Sequence, residues 1–304
     1  MKSGFIAKHY QTYFEPGFNS RWLKPETLFS KLRKYESEEL LTIKHLGQSV
    51  EGRSIQSITY GEGPVKVVAW TQMHGNEPTS TMAIVDLLNF LIAEDDYNSI
   101  RQNIRKKITL TIIPMLNPDG AERFTRRNAL NIDLNRDAAS HSMPELKTLT
   151  EWVALNNPDW AFNLHDQRNI FTVGDTDKSA TISFLAASAS VEKTLTPTRM
   201  KSMNLISELA KVVEQEVPGH VGKYTDEFYP RALGEYFHQN EVPCILIESG
   251  AYKNDPLRNK ARKMNFLCLA DALIRIAEGT VPSNLEKYYY QIPANSKNML
   301  DLIV

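Results

Sequence analysis

The stretch Val65-Lys66-Val67-Val68-Ala69-Trp70-Thr71-Gln72-Met73-His74-Gly75-Asn76-Glu77-Pro78 decides the fold. Its first half is a continuous apolar run broken only by Lys66, the pattern of a strand buried on both faces. A helix follows from Pro78 to near Glu94, with Met82, Val85, Leu88, Leu91 and Ile92 as its apolar face. His74 and Glu77 therefore fall in the turn at the carboxyl end of a buried strand. Open α/β sheets place their ligand sites there. A His and a carboxylate three residues apart can face one metal ion. Zinc accepts both, and a catalytic zinc takes three protein ligands plus a water. Gly75 permits a sharp turn between the two ligands, and Pro78 suits the first helical position.

Outward from this stretch, strand and helix patterns alternate. Leu41 to Leu46 reads as a strand, and Gln48 to Tyr60 as a hairpin turning at Glu51-Gly52. Ile108 to Leu116 is a second apolar strand, stopped by the turn sequence Asn117-Pro118-Asp119-Gly120. Asp159 to Leu164 delivers His165 at its end, and Val242 to Ile247 delivers Glu248. Helices are expected from Pro25 to about Ser37, from Pro144 to about Asn156, and over Arg199 to Val217, Pro230 to Gln239 and Asp255 to Glu278. The expected architecture is a single α/β/α domain around a mixed, largely parallel twisted sheet. Residues 1–40 are expected to be a lead-in and short helix packed on the body, 41–279 the catalytic body, and 280–304 an irregular tail.

The 304 residues can bury a large core, with 42% hydrophobic and 23% charged content ordinary for a globular protein. Thirty-five basic against 36 acidic residues leave a formal charge of −1, which points to neither a nucleic-acid partner nor a membrane surface. Cys244 and Cys268 lie in apolar surroundings and read as buried free thiols. Met1 to Tyr10 has no apolar signal core, and no run is long enough to span a bilayer. A cytoplasmic protein is expected.

His74 with Glu77, His165 and Glu248 thus gather at the carboxyl ends of three predicted buried strands. Polar residues collected on one rim of one sheet are hard to explain by packing. A single zinc ion held by His74, Glu77 and His165 would account for them. Glu248, in an apolar mouth beside a metal-bound water, is placed to act as a general base.

The ordered set His74-x-x-Glu77, Asn117-Pro118-Asp119-Gly120, Arg126 with Asn128, Asp133-Leu134-Asn135-Arg136, His165 and Glu248 resembles the carboxypeptidase A-like zinc metallopeptidases. Leu46 to Arg53 also resembles the hairpin that precedes their first ligands. The resemblance runs from about Leu46 to Ala277. It implies a zinc metallocarboxypeptidase that hydrolyses a carboxy-terminal peptide bond, with zinc-activated water as the nucleophile. It assigns His74, Glu77 and His165 to the metal, Asp133 to orienting the first histidine, and Glu248 to proton transfer. Arg126 corresponds to the stabiliser of the oxyanion, a charge present only in the transition state. Asn135 and Arg136 correspond to the clamp on the substrate's terminal carboxylate, where an Arg fork is well matched.

This chain departs from the pattern in three places. Asp137 follows the Asn-Arg pair where many members have Asn, and Asp166 follows the third ligand where many have Ser. The tyrosine that covers the substrate corresponds to Tyr229 or Tyr224, with Tyr229 preferred. Arg231 falls where the family builds its side-chain pocket and is expected to favour acidic groups there. No propeptide-like region is expected before the catalytic part. The expected substrate is a peptide or an N-acyl amino acid with a free carboxylate. The competing readings are an amidase of cell-wall peptides, a deacylase of N-acyl amino acids on the same scaffold, and a catalytically silent binding module.

Overall fold

A computed structural model of the protein describes residues 2–299. The strands, in chain order, are β1 (Leu41–Gln48), β2 (Ser54–Tyr60), β3 (Val65–Trp70), β4 (Ile108–Ile113), β5 (Trp160–Asp166), β6 (Thr172–Val173), β7 (Ile182–Leu185), β8 (Val221–Lys223), β9 (Cys244–Ser249) and β10 (Asn295–Ser296). The helices are α1 (Lys2–Lys8), α2 (Tyr10–Tyr13), α3 (Pro25–Leu32), α4 (Thr79–Ile92), α5 (Asn98–Lys107), α6 (Pro118–Arg123), α7 (Pro144–Asn156), α8 (Pro197–Glu216), α9 (Leu233–Gln239), α10 (Asn259–Glu278) and α11 (Glu286–Gln291).

Eight strands form one sheet in the order β1-β2-β4-β3-β5-β9-β7-β8. Its centre, β4-β3-β5-β9, is parallel. The β1-β2 hairpin and the β7-β9 pair are antiparallel. β3 pairs with the later strand β4 on one side and with β5 on the other, so the chain reverses its direction of travel across the sheet at β3. Such a switch point opens a crevice at the carboxyl ends of the strands.

Alternate side chains of the central strands enter two different cores. Val67 and Ala69 pack with Phe162, Leu164, Ile245 and Ile247 against α4, α8 and α10. Val68 and Trp70 pack with Ala161 and Cys244 against α7 and α9. That double burial is why the strands read as unbroken apolar runs. Trp70 stacks on Phe237 of α9 at 4.8 Å between ring centroids.

Several elements differ from the sequence expectation. The lead-in holds two helices, α1 and α2, and is tied down through a buried ion pair: Asp86 on α4 accepts from Arg262 Nε of α10 at 2.8 Å, from Tyr10 OH at 2.7 Å and from the Glu15 amide at 2.8 Å. α5 lies in a highly charged stretch whose only apolar residues are Ile100 and Ile104, and β7 and β8 are only four and three residues long. Asn117-Pro118-Asp119-Gly120 opens helix α6 instead of a simple turn, because the Asn117 side chain caps Gly120 N–H at 2.8 Å. The tail expected to be irregular carries α11 and β10, the latter pairing with β6. Residues 300–304 of that tail lie outside the described residues. No helix among the described residues is long and apolar enough to cross a membrane.

His238 fixes α9 to the sheet. Its Nε2 lies 3.0 Å from the Cys244 amide at the start of β9, and its Nδ1 contacts the Ala187 carbonyl. Burial pushes its pKa down to about 4 from the usual 6.5. The unfolded chain therefore takes up this proton more readily, so stability is lost as pH falls from 6.5 towards 4. Replacing His238 by Gln should remove about 2 kcal/mol of the stability difference between pH 7 and pH 5, as read by urea unfolding at both pH values. An unchanged difference would show that His238 does not titrate in this way.

Candidate metal centre and substrate cavity

The chain between β3 and α4 makes a tight turn in which Glu77 N–H donates to the His74 carbonyl at 3.1 Å. Gly75 is required there by close approach: a Cβ would lie 1.9 Å from the Gly120 backbone carbon at the α6 amino end. Its φ is not in the left-handed region, so packing and not turning accounts for the glycine. On the neighbouring strands, His165 of β5 is directly opposite Glu248 of β9 in the parallel register. The crevice thus receives a His-Gly-Asn-Glu turn from β3, a histidine from β5 and a glutamate from β9.

His74, Glu77 and His165 are buried, and their ligand atoms lie within 4.8 Å of one another. His74 Nδ1 is 2.9 Å from Glu77 Oε1, His165 Nδ1 is 2.8 Å from Glu77 Oε2, and the two Nδ1 atoms are 3.1 Å apart. A tetrahedron with zinc bonds of about 2.0–2.1 Å has edges of about 3.3–3.4 Å, so the two Nδ1 atoms, at 3.1 Å, are within a few tenths of an ångström of sharing one ion. His74 Nε2 faces Asp133 Oδ1 at 3.0 Å. A proton on Nε2 leaves the Nδ1 lone pair turned towards Glu77 and His165, the tautomer a metal ligand needs. Two imidazoles and a carboxylate converging edge to edge in a buried site suit a cation better than they suit one another. The donor set, two nitrogens and a carboxylate, is one that zinc takes.

The electrostatics point the same way. Burial opposes charge on Glu77, but the two histidines outweigh it and hold the carboxyl well below its usual range. Burial likewise opposes charge on Asp133, and the His74 bond and charge, with Arg126, hold it low. Burial lowers the His165 pKa, only partly offset by Glu77, whereas for His74 the carboxylates Glu77 and Asp133 overcome burial and raise it. Glu248 is pushed well above the ordinary carboxylate value by burial, then by the neighbouring charges of Glu77 and Asp166. Its Oε2 is buried without a hydrogen-bond partner among the described residues.

These residues face a cavity of about 740 Å³ that also takes in Arg126, Asn135, Arg136, Tyr224 and Tyr229. Arg126 donates from Nε to Asp133 at 3.0 Å and from Nη1 to Glu77 at 3.2 Å, with its side chain 44% exposed. Asn135 accepts from Leu233 N–H at 2.9 Å, capping the start of α9. Arg136 donates to the Asn135 carbonyl at 2.8 Å, and its guanidinium lies 4.7 Å from the centre of the Tyr229 ring. Tyr229 is partly exposed with its hydroxyl on Glu227, while Tyr224 is half-buried beside Leu185 and Leu246.

Arg231 does not take part. Its side chain is exposed and does not line the cavity. Among the described residues only its carbonyl is engaged, by Ala138 N–H at 3.2 Å, because the helix expected from Pro230 begins at Leu233, and Ala232 before it and Glu235 within it line the cavity instead. The expectation of an acid-selecting pocket built on Arg231 is therefore corrected. Of the two extra acids, Asp137 turns away from the cavity to accept from Ser140 at 2.6 Å and Met143 N–H at 2.8 Å. Asp166 does line the cavity, bracketed by Thr79 at 2.6 Å, Arg21 at 3.2 Å and Arg258 at 3.4 Å. Burial raises its pKa against the pull of Arg258 and Arg21. Arg21, Glu235 and Arg258 line the cavity without belonging to any of the sequence motifs, although Glu235 is only four residues beyond Arg231.

Comparison with known proteins places this geometry. Residues 29–142 match the zinc carboxypeptidase family model, a span that holds His74, Glu77, Asp133, Asn135 and Arg136 but stops before His165 and Glu248. Carboxypeptidase 2 of Trichophyton rubrum is 28% identical over 142 residues, 46% of this chain and 24% of that protein. Carboxypeptidase D of Rattus norvegicus is 32% identical over 123 residues, 35% of this chain and 9% of that protein. The chain thus spans about a quarter or less of the length of these curated relatives. The crystal structure of a metallo-carboxypeptidase from Burkholderia cenocepacia superposes with a TM-score of 0.67 at 20% identity, covering 88% of this chain and 71% of that one, and shares the fold.

Asp133→Asn should weaken zinc affinity roughly 10- to 100-fold, as measured by competition with a chromogenic chelator. Unchanged affinity would show that Asp133 does not set the His74 tautomer.

Proposed function

From a chain related to the zinc carboxypeptidases over residues 29–142 and folded as a metallocarboxypeptidase, we infer a zinc-dependent hydrolase that releases the carboxy-terminal residue of a peptide. The observation that carries this reading is the convergence of His74, Glu77 and His165 beside a buried carboxylate, Glu248, on the wall of one open cavity. Zinc held by the three would polarise the scissile carbonyl and make water a nucleophile at neutral pH.

The chain's own residues supply the rest. Glu248 has a raised pKa and an unpartnered Oε2, which suits it to take a proton from the attacking water and pass it to the leaving amine. Arg126 is held by Asp133 and Glu77 with Nη2 free of hydrogen bonds among the described residues, so it can meet an oxyanion without moving far. Arg136 has no carboxylate partner among the described residues and is steadied by the Tyr229 ring. That leaves its fork for a free substrate carboxylate. N-acyl amino acids present the same carboxylate, but no observation favours an amidase, a deacylase or a silent binding module over the peptidase. A cytoplasmic setting is part of the same proposal and rests on Cys244 and Cys268 being buried free thiols.

Elemental analysis of the purified protein should find one zinc per chain. Glu248→Gln should keep the metal and lose turnover of blocked dipeptides, whereas His165→Ala should lose both. A fully active Glu248→Gln protein would remove the proposed base. In a separate measurement, Arg136→Ala should raise KM and erase discrimination between free and amidated carboxy-termini; retained discrimination would place the clamp elsewhere.

A further inference from the structure

Part of the cavity is walled by side chains to which the hydrolytic reading gives no role. Leu185 at the end of β7 and Leu246 on β9 form a small apolar cluster of their own, with Tyr224 packed against it. Ala232 closes the wall at the foot of α9. Next to it on the same helix stands Glu235, which lines the cavity yet is only 5% exposed. Oε1 of Glu235 accepts from the Tyr229 amide at 3.1 Å. Among the described residues no cation pairs with the carboxylate, whose hydrogen bonds come from backbone amides, that of Tyr229 and its own. Burial pushes its pKa up, against the bonds from the Tyr229 amide and its own amide and the charge of Arg136, which is close enough to be felt but does not form an ion pair.

A carboxylate buried without a cation is costly, and a cation supplied by a ligand relieves that cost. Apolar walls leading to such a carboxylate suit a long aliphatic stem with a charged end. Arg136 lines the same cavity and is placed for the ligand's main-chain carboxylate. An acid and a base set apart in this way fit an amino acid that carries a terminal carboxylate and a distant positive group.

We propose that Glu235 makes this cavity select peptides ending in Lys or Arg. The proposal rests on the carboxypeptidase reading above and gives its substrate class. It reverses the sign of preference that Arg231 would have conferred.

The test uses the zinc-loaded full chain and blocked dipeptides ending in Arg, Lys, Leu, Phe and Glu. Arg and Lys should be released fastest. Glu235→Gln keeps an acceptor for the Tyr229 amide, so the loop is retained while the charge is lost. It should lower the Arg-to-Leu and Lys-to-Leu ratios of kcat/KM roughly 10- to 100-fold. Glu235→Asp should recover part of the ratio, and Arg231→Ala should leave it unchanged. A parallel calorimetric titration with Nα-acetyl-arginine and Nα-acetyl-leucine reads selection without turnover. Cleavage with no basic preference, or a ratio unmoved by Glu235→Gln, would overturn the assignment of Glu235 and leave the hydrolase standing. No cleavage of any dipeptide, with Nα-acetyl-arginine still bound selectively and released by Glu235→Gln, would sink the hydrolase and keep the selectivity. Equal affinity for both acetyl amino acids, without cleavage, would sink both.

Discussion

The structure turns on the Glu77 carboxylate. One oxygen faces His74 Nδ1 and Arg126, and the other faces His165 Nδ1 and the Asp166 amide. A single buried acid thereby ties the β3 turn, the end of β5 and the loop carrying Arg126 into one constellation. Two imidazoles can only be brought edge to edge around it if something compensates their crowding, and Asp133 shows how: it takes the outer nitrogen of His74 so that the inner one points inward. The cost of collecting acids here, at Glu77, Asp133, Asp166 and Glu248, is offset by arginines at the rim and leaves room for one more positive charge in the middle.

The sheet makes that collection possible. β3 and β5 are adjacent while their connections travel in opposite directions, so the ends of both open on the same crevice. The parallel register of β5 with β9 then sets His165 beside Glu248 without any help from side-chain packing. Helices α4, α8 and α10 fill one face of the sheet, and α7 and α9 fill the other. The start of α9 lies beside the cavity, where it presents Glu235 and receives its cap from Asn135. The N-terminal segment is drawn into the same wall, where Arg21 reaches Asp166 and the Trp22 indole donates to the Ala121 carbonyl at 3.0 Å.

Sequence by itself determined the central strands, the long helices and the positions of His74, Glu77, His165 and Glu248 at strand ends. Their signals are local: apolar runs of strand length, helical spacing, and a polar residue where the run stops. The ordered motifs also located Asp133, Arg126 and Asn135-Arg136. What lay outside reach were elements stabilised by their surroundings: α5 in its charged stretch, the short β7 and β8, and the α1–α2 lead-in held by Asp86 and Arg262. The same holds for the charge of the substrate cavity. Arg231 and Glu235 are four residues apart in a segment without strong periodicity, and nothing local says which one turns inward. Tertiary structure decided it by starting α9 at Leu233, which exposes Arg231 and buries Glu235. A side chain's direction at a helix boundary is set by what the helix packs against, and that information belongs to partners distant in the chain.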